Sequence, residues 1–314
     1  MNYSLRISTL LVILATSALV LTTETGSTQD EKRPTDFADR PAPPVSDDAR
    51  REMEVRLDEA RKRYDANPKD PEAMIWLGRR LAYLGRFREA VDVYSDGIKK
   101  FPADARFYRH RGHRYITLRR FDLAIADLKR GAKLIKGKAD EIEPDGQPNA
   151  RNIPTGTLQF NIWYHLGLAY YLTQKNKEAL DSYRECLTVS NNPDALVATS
   201  HWLYMTLRRL NRAQEAAKVL EPIHNRLDVI ENAGYHRLLL MYKGVIPAQD
   251  LLEATLKQER SAGSYSILYG VGNWYLYNDR RDDAIKIFRQ MLEGDQWTSF
   301  GYIAAEAELK RSVP

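Results

Sequence analysis

The sequence repeats itself with a period of 34 residues, and this constrains the fold more than any other feature. Gly112 follows Gly78 at this distance, and pairs of three further residue types share the offset. These pairs are Phe87 and Phe121, Ala90 and Ala124, and Pro68 and Pro102. A fixed period of this length is typical of structural units that stack on one another, since one such unit cannot bury its apolar face alone.

Within each unit the order of residues resembles the tetratricopeptide repeat, in which a large residue, Leu-Gly, an aromatic residue, Ala and a second aromatic residue follow one another. The third unit matches best, with Trp163, Leu166, Gly167, Tyr170, Ala179 and Tyr183. The resemblance implies an all-α fold, a right-handed α-solenoid of antiparallel helix pairs. The Gly and Ala positions would let paired helices approach closely while aromatic rings fill the space between them.

The spacing of these positions predicts that residues 46–314 form a leading helix, six helix pairs and a closing helix. Gly167 follows Gly112 by 55 residues, which places an insertion at about residues 137–157. Ala284 follows Ala216 by 68 residues, or two periods, so a fifth pair without the Leu-Gly signature should occupy about residues 228–260. Residues 46–66 and about 297–310 have the apolar spacing of the two terminal helices.

The insertion is acidic and contains Pro144, Pro148 and Pro154, which exclude a continuous helix. A loop of this length within a compact repeat array is either functional or disordered, and the sequence does not decide between the two. The alternating acidic order of a calcium loop is missing, so we expect a solvated acidic loop.

The N-terminus has the pattern of an export signal. Arg6 precedes an apolar run from Leu10 to Leu21, which is shorter than a comfortable membrane span. Residues 1–24 are therefore expected to be a signal peptide or, if uncleaved, a membrane anchor. Residues 25–45 are rich in Pro, Thr and charged residues and are expected to form a disordered linker. The protein would then be exported, and either periplasmic or secreted.

Charge and cysteine content limit the classes of partner and site. The net charge of +5 and pI of about 9.1 favour acidic partners without requiring nucleic acid, which we do not expect to bind an exported chain. Cys186 is the only cysteine, so an intramolecular disulfide is excluded, and its neighbours in Tyr183–Leu187, which include no base, suggest a core position. We expect a monomer.

In the tetratricopeptide family the first helix of each pair lines the concave face, and the resemblance implies the same here. The stripe of positions that would face this groove is basic and aromatic. It suits an extended peptide carrying carboxylates, because guanidinium groups bind carboxylates in a forked geometry. The proposed ligand-binding residues are Arg79, Arg109, His113, Tyr164, His165, His201 and Arg208. The alternative is that the rings pack between neighbouring pairs and the arginines are merely solvated.

The same face is compatible with two other functions. An acidic glycan could also use arginines and aromatic rings. A metal-dependent hydrolase could use the histidines, of which His110 and His113 lie one helical turn apart. No HExxH, P-loop, nucleophile-elbow or dinucleotide motif is present, so the sequence predicts no enzyme, no metal site and no cofactor. A scaffold for protein–protein interaction is the preferred function.

Overall fold

A computed structural model of the protein describes residues 37–258 and 260–312. The described residues form fourteen α-helices, preceded by a short 3-10 turn at Phe37–Asp39. The helices are α1 (Asp47–Ala66), α2 (Pro71–Tyr83), α3 (Phe87–Lys100), α4 (Ala105–Thr117), α5 (Phe121–Ile135), α6 (Leu158–Leu172), α7 (Asn176–Thr188), α8 (Pro193–Arg209), α9 (Ala213–Val219), α10 (Ala233–Tyr242), α11 (Ala248–Leu256), α12 (Ala262–Leu276), α13 (Arg281–Leu292) and α14 (Phe300–Ser312).

This order is a leading helix, six helix pairs and a closing helix, so the predicted α-solenoid is confirmed. The fifth pair, which lacks the Leu-Gly signature, consists of α10 and α11. Helix α10 is shorter than the first helix of every other pair, and α11 is also short. No helix in the described part of the chain is both long and apolar enough to span a bilayer. The predicted signal or anchor at residues 1–24 lies outside the described residues.

Local signals explain where the helices begin. The side chains of Ser46, Asp70, Asp104, Thr157, Asn192 and Ser261 each accept a hydrogen bond from a backbone N–H of the first helical turn. The second helix of a pair starts differently, after a tight turn with one residue in the left-handed region. Gly85 and Arg119 hold equivalent places in the first two pairs, with φ of 77° and 58°.

Close contact between the two helices of a pair depends on the repeat glycines. A Cβ atom added to Gly78 would lie 2.4 Å from the ring of Tyr94, and one added to Gly167 would lie 2.7 Å from the ring of Tyr183. Both tyrosine rings are buried. The predicted roles of the small and aromatic repeat positions are therefore confirmed, and Cys186 is buried in the same core.

The segment before α1 differs from the expected flexible linker in its described part. The Phe37 ring lies beside that of Trp297, with centroids 6.0 Å apart, and the guanidinium of Arg119 lies over it at 4.1 Å. The indole N–H of Trp297 donates a hydrogen bond to the Pro41 carbonyl at 2.7 Å. Residues 37–41 therefore pack against the solenoid, because Phe37 contacts both the Arg119 guanidinium and the Trp297 ring.

Candidate functional site

The first helices of the six pairs, α2, α4, α6, α8, α10 and α12, contact one another in sequence and form one continuous surface, here called the inner face. It corresponds to the concave face that the repeat pattern predicts as the binding surface. Two other segments of the same chain lie on this surface. They are the insertion at residues 137–157 and the closing helix α14.

The insertion is held together at its base by backbone hydrogen bonds. The N–H of Glu143 donates to the Gly156 carbonyl at 3.0 Å, and the N–H of Leu158 donates to the Glu141 carbonyl at 2.8 Å. This short antiparallel pairing closes the loop where it leaves α5 and enters α6. The intervening residues are thereby directed across the inner face instead of into solvent.

One side of the insertion binds arginines of the first two pairs. The Glu143 carboxylate forms an ion pair of 2.8 Å with Arg109, and both side chains are about nine-tenths buried. Arg79 donates to the Pro144 carbonyl and Arg80 to the Gly146 carbonyl, each at 2.7 Å. The expectation of a solvated acidic loop is wrong at this point, because Glu143 meets a buried cation that compensates its desolvation.

The other side of the insertion reaches the segment that precedes α10. Arg151 forms an ion pair of 2.8 Å with Asp228, and Thr155 donates to the Glu231 carboxylate at 2.8 Å. This segment is itself fixed by the buried Asp194, whose carboxylate accepts three backbone N–H groups of residues 230–232, each at 2.8 Å. The insertion therefore spans the inner face from the first pair to the fifth.

The closing helix lies on another part of the inner face, against α12 and α6. Glu308 of α14 pairs with Arg209 of α8, and it also accepts a hydrogen bond from the Tyr269 hydroxyl at 3.2 Å. Two residues earlier in the same helix, Glu306 pairs with Arg119 at 2.9 Å. Both segments that occupy the inner face are thus anchored by glutamates on arginines. Residue periodicity identified Arg79 and Arg109 as facing the groove, but no local pattern identified Glu143, Glu306 or Glu308 as a partner of an arginine.

The structure brings some of the predicted site residues together and separates others. Arg79 and Arg109 lie side by side beneath the insertion. His113 and His165 lie against each other, with ring centroids 4.3 Å apart, and the Tyr164 ring is 5.4 Å from that of His165. A pocket of about 320 Å³, lined in part by His113, Tyr235 and Phe300, remains open next to this group.

The remaining two predicted residues do not join these groups. His201 is fully buried between the rings of Tyr235 and Tyr242, with centroids 4.7 and 5.9 Å away. It faces no open surface, because the neighbouring pair α10–α11 packs directly over it. Arg208 lies at another part of the solenoid, with its guanidinium 4.4 Å above the Tyr277 ring and a hydrogen bond of 3.2 Å to the Tyr277 carbonyl.

Burial keeps the inner-face histidines neutral. Desolvation lowers the pKa of His201 to about 3. Desolvation also lowers the pKa values of His113 and His165 well below their usual range, and the nearby cations Arg109 and Arg114 add to the effect. No group of three or more His, Cys, Asp or Glu side chains is placed to hold a metal ion within residues 37–258 and 260–312. The arrangement is suited to holding a ligand through cations and rings.

Two family models of the tetratricopeptide repeat match the sequence, one over residues 77–138 and the other over residues 160–193. The first range runs from the middle of α2 through α5, and the second covers most of α6 and all of α7. The protein is a tetratricopeptide repeat protein. As such it is a scaffold for protein–protein interaction, since stacked repeats of this kind build extended concave surfaces that bind other proteins.

Solved structures of other proteins are similar to this one at low sequence identity. MamA is 16% identical, with a TM-score of 0.42, over 55% of this chain and 86% of that chain. YrrB, described as a tetratricopeptide repeat protein with an unusual peptide-binding site, is 14% identical, with a TM-score of 0.42, over 80% of this chain and 97% of that chain. No curated protein sequence matches this tetratricopeptide repeat protein.

Proposed function

We propose that this tetratricopeptide repeat protein is a non-catalytic scaffold that binds an extended, acidic peptide of a partner protein on its inner face. The peptide would bind at Arg79 and Arg109, and the insertion would occupy the same site in the absence of the partner. The ion pair between Arg109 and Glu143 is the observation that carries this proposal.

The contacts of the insertion indicate what a ligand must supply. Arg109 pairs with the carboxylate of Glu143. Arg79 and Arg80 donate hydrogen bonds to backbone carbonyls just after Glu143, at Pro144 and Gly146. A carboxylate followed by carbonyls from an extended backbone is the chemistry of a peptide with an acidic residue. Arginine suits this role because its planar guanidinium keeps its charge when buried and offers several donors.

Further along the inner face, His113, Tyr164 and His165 would contact the next residues of the ligand. His113 lines the 320 Å³ pocket together with other rings and the segment before α10, and the buried rings of His165 and Tyr164 pack behind it. Neutral imidazoles and a phenol provide apolar surface with a polar edge, which accommodates varied side chains. His201 and Arg208 lie outside this stretch and are not part of the proposed site.

The insertion itself supplies the test ligand. A variant in which a short Gly-Ser linker replaces residues 139–156 keeps the N-cap Thr157 and uncovers the arginines. We expect it to bind a synthetic peptide of residues 139–156, measured by calorimetry, whereas the unmodified protein binds this peptide much more weakly. The same peptide with Glu143→Gln should bind at least tenfold more weakly to the variant, because it lacks the charge that pairs with Arg109.

The matched control is the peptide with Glu141→Gln, which removes a carboxylate whose side chain is exposed in the intact protein. Equal binding of the Glu143→Gln and unmodified peptides would contradict a site that recognises a carboxylate. If the linker variant does not fold, full-length protein carrying Glu143→Gln serves as the receptor, since its own insertion no longer supplies the carboxylate.

We also propose that the protein acts outside the cytosol as a monomer, released or tethered by residues 1–24. The motivation is the apolar run from Leu10 to Leu21 behind Arg6. Mass spectrometry of the N-terminus of the mature protein tests this, combined with protease treatment of cells whose outer envelope has been opened while the cytoplasmic membrane stays intact. An uncleaved N-terminus on protein that protease reaches only after lysis of the cytoplasmic membrane would contradict export.

A further inference from the structure

A groove of about 780 Å³ lies on the opposite side of α6 from the inner face, between α5 and α7. We call it the outer groove. It plays no part in the contacts of the insertion or of α14 described above. Its floor is formed by α6, which packs against both α5 and α7.

Three stripes of side chains line the outer groove, one from each helix. The first and last side chains of each stripe are one heptad apart in sequence. Each stripe therefore runs along its helix for about two turns, or roughly 10 Å. The stripe from α5 is basic, that from α6 is apolar and aromatic, and that from α7 is acidic. They are Lys129, Lys133 and Lys136; Trp163, Leu166 and Tyr170; and Glu178, Asp181 and Glu185.

The two charged stripes face each other across the floor without meeting. Within residues 37–258 and 260–312, no ion pair involves any of these three lysines or these three acidic side chains, and all six residues are exposed. Arg184 also lines the groove, but its guanidinium pairs with Glu215 of α9 at 3.2 Å. The acidic stripe therefore keeps its charge toward the groove, and the separation of the stripes leaves room for a third element.

The floor offers an anchor of the kind that dominates binding energies at interfaces. Trp163 is half-buried and packs against the core cluster that contains Ile135 and Ile162. A partly exposed tryptophan held rigidly by a core presents apolar surface at little cost in side-chain entropy. Leu166 and Tyr170 continue the floor along the helix but are themselves almost fully buried, so Trp163 is the main exposed apolar contact.

We propose that the outer groove binds an amphipathic helix of a partner protein. The apolar stripe of that helix would lie on Trp163, Leu166 and Tyr170. Its acidic edge would face the lysines of α5, and its basic edge would face the carboxylates of α7. Because the two edges of the groove differ in charge, only one direction of the bound helix satisfies both. This surface is independent of the inner face and of the proposed function.

Helical geometry favours a helix over an extended segment as the occupant. On each wall the charges recur at every third or fourth residue of a helix, which is about 5 Å along the groove and equals the rise between successive side chains on one face of a bound helix. An extended segment would place the side chains of one face roughly 6.6 Å apart. This arrangement corresponds to recognition of a helix in a groove.

Three designed helical peptides test the proposal on the full-length protein. They share one apolar stripe and differ only in their flanking edges, which are acidic and basic, both acidic, or both basic. Fluorescence anisotropy of labelled peptides gives the affinities. We expect the mixed peptide to bind roughly tenfold more tightly than the other two, because only it pairs with both walls.

A charge reversal on one wall provides the matched variant. The triple substitution Lys129→Glu, Lys133→Glu and Lys136→Glu makes both walls acidic, and circular dichroism verifies that these exposed changes leave the fold intact. The variant should then prefer the peptide with two basic edges. The proposal is overturned by an unchanged order of affinities in the variant or by failure of the unmodified protein to bind the mixed peptide.

A second copy of the protein is the alternative occupant of the outer groove. Sedimentation of the protein alone, with and without the triple substitution, examines this. Self-association that the substitution abolishes would assign the groove to a dimer contact and overturn the partner helix. A protein that stays monomeric in both forms while binding the mixed peptide agrees with the proposal.

Discussion

Arg109 of α4 and Glu143 of the insertion form an ion pair of 2.8 Å that closes the insertion over the inner face. Burial lowers the pKa of the Arg109 guanidinium, and the Glu143 carboxylate opposes this effect. The two side chains therefore stabilise each other's charge where solvent cannot. Loss of either one leaves the other with an uncompensated buried charge, which only movement of the insertion can relieve.

Glu143→Gln is predicted to release the insertion. The neutral amide cannot balance Arg109, so the loop should detach instead of leaving the cation desolvated. Hydrogen exchange followed by mass spectrometry should show faster exchange across residues 140–156, and trypsin should cut earlier at Arg151. Glu141→Gln, which alters an exposed side chain two residues away, is the control. Equal protection in both variants would argue against the ion pair as the latch.

Acidification is predicted to destabilise the fold through its buried histidines. The pKa of His201 is about 3 in the folded protein and about 6.5 when unfolded, so the unfolded chain binds more protons between these values. The contribution of neutral His201 is fully present above pH 6.5 and decreases below it. At pH 5 the loss from this group is about 2 kcal/mol.

Urea unfolding of the native protein and of His201→Gln at pH 7.5 and 5.0 measures this contribution. The free energy of unfolding should fall less between the two pH values in the variant, by about the same 2 kcal/mol. His224→Gln removes an exposed histidine and serves as the control. A variant with the full pH dependence would assign the effect to other groups.

Gly167→Ala is predicted to destabilise the third pair by about 1–3 kcal/mol. The added Cβ would lie 2.7 Å from the ring of Tyr183, which is fully buried and has no room to shift. Gly263→Ala, also within a helix, would place its Cβ no closer than 3.7 Å to Ser261. It should stabilise the protein by about 0.5–1 kcal/mol through helix propensity. Thermal or urea unfolding distinguishes these opposite signs.

Cys186 is predicted to be inert to thiol reagents in the folded protein. Burial raises the pKa of its thiol to about 12, and its sulfur lies 3.1 Å from the Thr199 hydroxyl. Since the thiolate is the reactive form, native labelling should be on the order of 10³-fold slower than for an exposed thiol. Labelling with a chromogenic disulfide, with and without urea, measures this. Rapid stoichiometric labelling under native conditions would contradict the buried position.

Much of the fold could be predicted because the repeat positions act locally. Gly167 and Tyr183 belong to consecutive helices joined by a short turn, so their spacing in sequence determines their contact in space. The same reasoning predicted α10 and α11 from the distance between Ala216 and Ala284, without a signature of their own. The prediction of a flexible linker was wrong for residues 37–41, because the contact of Phe37 with Arg119 and Trp297 joins distant parts of the chain.

The sequence by itself determined the repeat, the helix pairs and the side chains that point to the inner face, because helical periodicity is a property of neighbouring residues. Only the tertiary structure decided which of these side chains are covered. Arg109 meets Glu143 of an aperiodic loop, and Arg209 meets Glu308 from the end of the chain. Such contacts join segments that lie far apart in sequence and meet only after the repeats have stacked. No local sequence pattern contains that information.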